Sequence, residues 1–146
     1  PYTGEEMVVI DAETTGLLLL TNDGELANRL AHPTHGVTKV YVAKVAGRAS
    51  RHLCTQLKQG VDLDDGPVRA TGCTILDTSG DTSLVQVELH EGRNRIVRRM
   101  LDQVGHPVID LVRTQFGPIR LGTMAPGEVR ELSPAEVGRL MEAAGM

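Results

Sequence analysis

Tryptophan is absent from this 146-residue chain, and its aromatic residues are Tyr2, Tyr41 and Phe116. The core is therefore aliphatic, and any surface that stacks on nucleic-acid bases is small. Tyr41 stands out by that scarcity. A basic excess is missing too: 15 Lys and Arg against 19 Asp and Glu give a formal net charge of -4. That balance excludes a protein that coats nucleic acid through a general basic surface, but it leaves room for a local basic cleft. No apolar run approaches the ~20 residues of a membrane-spanning helix. The first residues lack the basic-then-apolar pattern of a signal peptide. A cytoplasmic location without a membrane partner is expected.

Cysteine is scarce as well. Cys54 falls in a helical pattern and Cys73 in a strand pattern, with no second pair to suggest a zinc site. Two buried reduced thiols are the favoured reading and a disulfide is the alternative. His32, Pro33, Thr34 and His35 have no suitably spaced Cys or acidic partner and read as a surface loop. The acidic stretch from Asp62 to Gly66 lacks the spacing and distal glutamate of a calcium loop. No phosphate-cradling glycine loop or Ser-His-Asp arrangement stands out. Neither a metal nor a cofactor is expected.

What is present suits one ordinary globular domain over residues 1–146, with 40% hydrophobic and 23% charged residues. A chain of this length buries ~68% of its unfolded surface around one core. The patterns predict strands near 8–11, 17–20, 38–46, 68–77, 83–90, 108–113 and 128–132. In the run Lys39 to Val45, alternation sets Tyr41, Ala43 and Val45 on one face. Leu17 to Leu20 reads as a strand buried on both faces. A helix follows, with Asn22 as cap, Glu25 reaching back, and Leu26, Ala27 and Leu30 as buried stripe. Ser50 opens a second helix with Leu53, Cys54 and Leu57 on one side, stopped at Gly60. Asp64-Asp65-Gly66-Pro67 is a predicted turn, and Ser79-Gly80-Asp81 a predicted antiparallel hairpin. Ser133-Pro134-Ala135-Glu136 is a capping box opening a last helix that buries Val137, Leu140, Met141 and Ala144.

The strongest positive patch is Arg93, Arg95, Arg98 and Arg99. Projected as a helix from Arg93 to Gly105, Ile96, Val97, Met100, Leu101 and Val104 gather on one side, and Arg95, Arg98, Arg99 and Asp102 on the other. The apolar side would anchor the helix on a sheet, so its guanidinium groups would be carried by a rigid element.

Residues 11–30, DAETTGLLLLTNDGELANRL, resemble the signature of the RsuA/RluB family of ribosomal RNA pseudouridine synthases. Three further segments agree in family order: Lys39-Val40-Tyr41, HEGRNRIVRRML from His90 to Leu101, and Gly105 to Leu132. Departures are Ile96 in a usual glutamine position, and Val8-Val9-Ile10 where the family carries Gly-Arg-Leu, so that the arginine assisting base extrusion is replaced by Val9. The resemblance implies an α+β fold, with a mixed, mainly antiparallel sheet, helices packed on it and a central catalytic cleft. It also implies that the family's N-terminal S4-type RNA-binding module is absent here, because the chain begins too close to Asp11 to contain it.

The implied activity is isomerisation of a specific uridine in ribosomal RNA to pseudouridine, with a large-subunit site favoured. HPTHGVTKVY and LDDGPVRA look like the RluB branch. Asp11 matches the catalytic nucleophile, and an adjacent guanidinium is required to keep a partly desolvated carboxylate charged. Arg98 matches that role and Arg93 is the fallback. Tyr41 would stack on the uracil and also assist removal of a proton from its carbon. Lys39, Arg93, Asn94, Arg95 and Arg99 would bind substrate. Ribosomal RNA or a ribosome assembly intermediate is the implied partner of a monomer. A noncatalytic RNA-binding or ribosome-assembly domain is the competing reading. A glycosidase pairing Asp11 with Glu13 is disfavoured, since residues two apart on a strand or turn tend to diverge.

Overall fold

The computed structural model describes residues 7–10, 15–20, 24–31, 37–91, 95–120, 122 and 129–146, with backbone alone for 7–10, 15–20, 31 and 129–131. Along the chain the elements are β1 (Met7–Ile10), β2 (Thr15–Leu20), α1 (Gly24–Ala31), β3 (Lys39–Ala46), α2 (Arg51–Gln59), β4 (Val61–Leu63) and β5 (Gly66–Val68). They continue with β6 (Gly72–Ser79), β7 (Thr82–Leu89), α3 (Ile96–Gln103), β8 (Val108–Phe116), β9 (Ile119–Arg120), β10 (Val129–Glu131) and α4 (Pro134–Ala143). The main sheet has the order β10-β1-β2-β8-β3-β7-β6, with β9 paired to β8, and β4-β5 forms a separate hairpin. The β2–β8 pair is parallel and the other pairs are antiparallel. This is the mixed, mainly antiparallel α+β architecture expected.

The described side chains form two cores. In the larger, Tyr41, Ala43 and Val45 of β3 join Val85, Val87 and Leu89 of β7 and meet Ile96, Val97, Met100 and Leu101 of α3. The period-two pattern of β3 is thus buried on the face the alternation predicts. The smaller core gathers Leu26 and Leu30 of α1, Val37, Ile119, Leu132, and Val137, Leu140 and Ala144 of α4. Ala27, expected in the α1 stripe, is exposed, which leaves a narrower stripe of Leu26 and Leu30. The side chains of Leu17 to Leu20 and residue Asn22 lie outside what is described.

Local chemistry accounts for the element ends. Ser50 caps α2 by accepting from the His52 N–H, and Gly60 closes it at φ 127. Ser133 and Glu136 form the reciprocal capping box of α4, with Pro134 in its first turn. The expected single strand over 68–77 is two strands. The Ala70 N–H donates to Leu57 O of α2 instead of to a neighbouring strand, so β5 ends at Val68 and β6 begins at Gly72. The expected turn at residues 64–67 is shorter, because Leu63 pairs with Gly66 and leaves Asp64-Asp65 as the loop. Strand β8 runs on to Phe116 because it also pairs with β9. Cys54 and Cys73 are joined as a disulfide between α2 and β6, with Cα atoms 5.2 Å apart, so the favoured reading of reduced thiols is corrected. Periodicity placed both residues correctly but could not show that α2 packs on β6 at that point.

Candidate active site

The middle of the sheet is where chemistry collects. Lys39 and Tyr41 lie two apart on β3, so both point to one face of the sheet, where Tyr41 packs with α3 in the larger core and Phe116, the neighbour of Lys39, packs against the smaller one. Opposite them on β8, Lys39 pairs with Phe116 and Tyr41 with Arg113. Residues three apart on a regular strand face opposite ways, so Arg113 and Phe116 could not both lie on that face without an irregularity. A bulge supplies it: between the Val40–Gln115 and Tyr41–Arg113 pairs, Thr114 is the extra residue on β8. Lys39 Nζ then stands 5.2 Å and the Arg113 guanidinium carbon 5.3 Å from the Phe116 ring centre, within cation–π range.

Lys39 is a buried cation, 5% exposed, whose ammonium donates to Val37 O at 3.2 Å. Burial pushes its pKa below the ordinary 10.5, the nearby Arg113 charge pushes the same way, and Glu91 opposes both. Placing two cations against one ring beside a buried tyrosine costs stability.

Helix α3 carries the arginines. Ile96, Val97, Met100 and Leu101 are buried against the sheet, as projected, and Val104 is half-buried. Arg95, Arg98, Arg99 and Asp102 turn to the other side, where with Pro107 and Val108 they line an open groove of about 290 Å³. Arg95 caps the helix at φ 54, the one non-glycine residue with positive φ among the described residues. Such a conformation costs on the order of 1 kcal/mol. Arg99 makes a two-pronged ion pair with Asp65 on the β4–β5 loop, at 2.9 and 3.1 Å.

Of the residues singled out from sequence, Lys39 and Tyr41 are brought together on one sheet face, and Arg95, Arg98 and Arg99 on one helix side. Arg98 is half-buried in the groove near the start of β8, whereas Tyr41 pairs with Arg113 five residues further along that strand. Asp11, Arg93 and Asn94 lie outside the described residues. The strands flanking Asp11 are nonetheless described: β1 ends at Ile10, β2 begins at Thr15, and Thr15 and Gly16 pair with Val112 and Arg113. Arg113 and Phe116 were missed by sequence reasoning. The scarcity of aromatics was a usable signal for Phe116, but the bulge hides the shared face of the two from any period-two pattern. Among the described residues no three His, Cys, Asp or Glu side chains are grouped to hold a metal ion, and no helix is long and apolar enough to cross a membrane.

Residues 9–103, more than half of the chain, match the family model described as RNA pseudouridylate synthase. The chain belongs to this family. Among its relatives, a Mycobacterium tuberculosis protein described as an uncharacterized RNA pseudouridine synthase is 51% identical over 137 residues, covering 94% of this chain and 54% of the relative. The ribosomal large subunit pseudouridine synthase B of Bacillus subtilis is 45% identical over 133 residues, covering 90% of this chain and 54% of the relative. The chain therefore spans about half the length of the curated relatives it matches. A crystal structure of a pseudouridylate synthase superimposes with a TM-score of 0.80 at 31% identity, covering 90% of this chain and 56% of that one. The pseudouridylate synthase fold is thus the one described above.

Proposed function

We propose that this chain is the catalytic part of a ribosomal RNA pseudouridine synthase that isomerises a specific uridine, with large-subunit RNA favoured over small-subunit RNA. The observation that carries the proposal is the sheet register that sets Tyr41 against Arg113 and Lys39 against Phe116, in a chain of the pseudouridylate synthase family. The name of the Bacillus subtilis relative supports the large subunit. A cytoplasmic location and a monomeric state are part of the proposal.

A uridine in folded RNA must leave its stack before a side chain can reach its sugar–base bond, at a cost of a few kcal/mol. Phosphate contacts from Arg93, Asn94, Arg95 and Arg99 offset that cost, while Val9 offers no guanidinium to help. Asp11 acts as nucleophile, and the bond its carboxylate forms is broken again before the product leaves, which returns the free carboxylate. The N-glycosidic bond breaks, the uracil turns in place, and a carbon–carbon bond forms between ribose and uracil carbon 5. The hydrogen on carbon 5 leaves as a proton and one returns to nitrogen, so the reaction is balanced without a cofactor. Tyr41 stacks on the uracil and takes part in the proton removal. Arg98 is the guanidinium assigned to Asp11 by resemblance. Beside the fallback Arg93, Arg113 is a further candidate, on the observation that it pairs with Tyr41 and that β2, which follows Asp11, runs beside it.

The test is to incubate the chain with unmodified large- and small-subunit ribosomal RNA transcripts, digest to nucleosides and quantify pseudouridine. Formation at one position of the large-subunit transcript is expected. RNA binding without pseudouridine would favour the noncatalytic binding domain, and release of free uracil would favour a glycosidase.

A further inference from the structure

Asp65 has no part in the chemistry above, yet its carboxylate holds Arg99 by both oxygens, at 2.9 and 3.1 Å. That two-pronged geometry is the one a guanidinium uses for a phosphate. The pair is open to solvent, with side-chain exposures of 33% for Arg99 and 47% for Asp65, so it adds little to stability. Its place is fixed all the same. Val61 and Val68 root the β4–β5 hairpin in the larger core, Leu63 packs on that core, and the loop Asp64-Asp65 is held beside α3. A rigid acidic tip therefore stands at the edge of the groove lined by Arg95, Arg98, Arg99 and Asp102.

We infer that Asp65 is a specificity-determining residue: it occupies the phosphate-binding fork of Arg99 and yields it only to RNA already engaged by Arg95 and Arg98. This rests on the RNA-binding reading of α3 proposed above. Affinity for any RNA grows with the number of phosphates neutralised, irrespective of sequence. An internal carboxylate on one arginine subtracts a contact from loosely bound RNA. RNA that is correctly seated keeps Arg99 close to a phosphate, so exchange of partners is local and costs it less. Discrimination between target and other RNA rises as a result.

The experiment measures binding of the chain to a target-site RNA fragment and to an unrelated RNA of equal length, across a salt series, for the parent, Asp65→Asn, Arg99→Gln, the double variant and Asp64→Asn. Thermal unfolding verifies that each is folded. Asp65→Asn is expected to tighten unrelated RNA by about threefold, to steepen its salt slope by roughly 0.7–0.9, and to tighten target RNA less, so that selectivity falls. The gain should vanish in the double variant, and Asp64→Asn should show little of it. Asp65→Asn binding both RNAs as the parent does, or more weakly, would make Asp65 a brace for Arg99 and overturn the inference. Equal gains from Asp64→Asn and Asp65→Asn would reduce it to general charge and overturn it too. If instead Arg99→Gln leaves parental RNA binding unchanged, it is the RNA-binding reading of α3 that fails.

Discussion

Replacing Lys39 by methionine should make the protein more stable while impairing its function. In the folded chain the ammonium is 5% exposed and donates to Val37 O at 3.2 Å, with its charge 5.2 Å from the Phe116 ring centre and Arg113 over the same ring. Methionine fills nearly the same volume. It forfeits a hydrogen bond worth roughly 1.5–3 kcal/mol and a cation–π contact worth about 1 kcal/mol. Against these stands the relief of a buried charge, several kcal/mol per ion after relaxation. The net expectation is a gain of about 1–2 kcal/mol, or roughly 2–8 °C in Tm for a chain of this size.

The pH dependence supplies an independent arm. Burial first, then Arg113, lowers the folded pKa of Lys39 below 10.5, with Glu91 opposing. The unfolded state therefore binds more protons between the folded and unfolded values, and parental stability rises with pH across that window. The advantage of Lys39→Met is largest below the folded pKa and shrinks toward pH 10.5. Urea unfolding of both proteins at about pH 7 and about pH 10 measures the difference, with titration of other groups cancelling. A variant less stable than the parent, or a difference that does not shrink with pH, would refute the reasoning.

Further outcomes follow from other parts of the structure. The Cys54–Cys73 disulfide closes a loop with a sequence separation of 19, so Cys73→Ser or reduction should cost about 3 kcal/mol, and thiol titration of the native chain should find no free cysteine. Met100, 1% exposed, is part of the anchor of α3, so Met100→Ala should destabilise by about 2–5 kcal/mol in chemical denaturation and weaken RNA binding through displacement of the arginines it holds in place. Ser133→Ala removes one half of the α4 capping box and should cost about 1 kcal/mol by thermal unfolding, without a change in RNA affinity, since α4 packs in the smaller core.

Features governed by local chemistry were legible in the sequence. The Ser50 and Ser133 caps, the Gly80 hairpin and the buried side of α3 follow from periodicity and side-chain donors over a few residues, and the structure has them. That Lys39 and Tyr41 share a face of β3 was legible because a spacing of two on a strand survives folding unchanged. Features set by long-range packing were not legible. The Cys54–Cys73 bond depends on how α2 meets β6, the break between β5 and β6 on an N–H claimed by Leu57 O, and the Arg113–Phe116 pairing on a bulge at Thr114. Asp65 was read as turn-forming, which it is, and its capture of Arg99 could emerge only once the hairpin and α3 were side by side.

The most direct test of the central claim is tritium release from ribosomal RNA labelled at uracil carbon 5, comparing the chain with its folded Asp11→Asn variant. The account predicts release by the parent, stoichiometric with pseudouridine formed, and none by the variant. Equal release by both would remove Asp11 from the mechanism, and release by neither, while a full-length relative is active on the same RNA, would contradict catalysis by this chain.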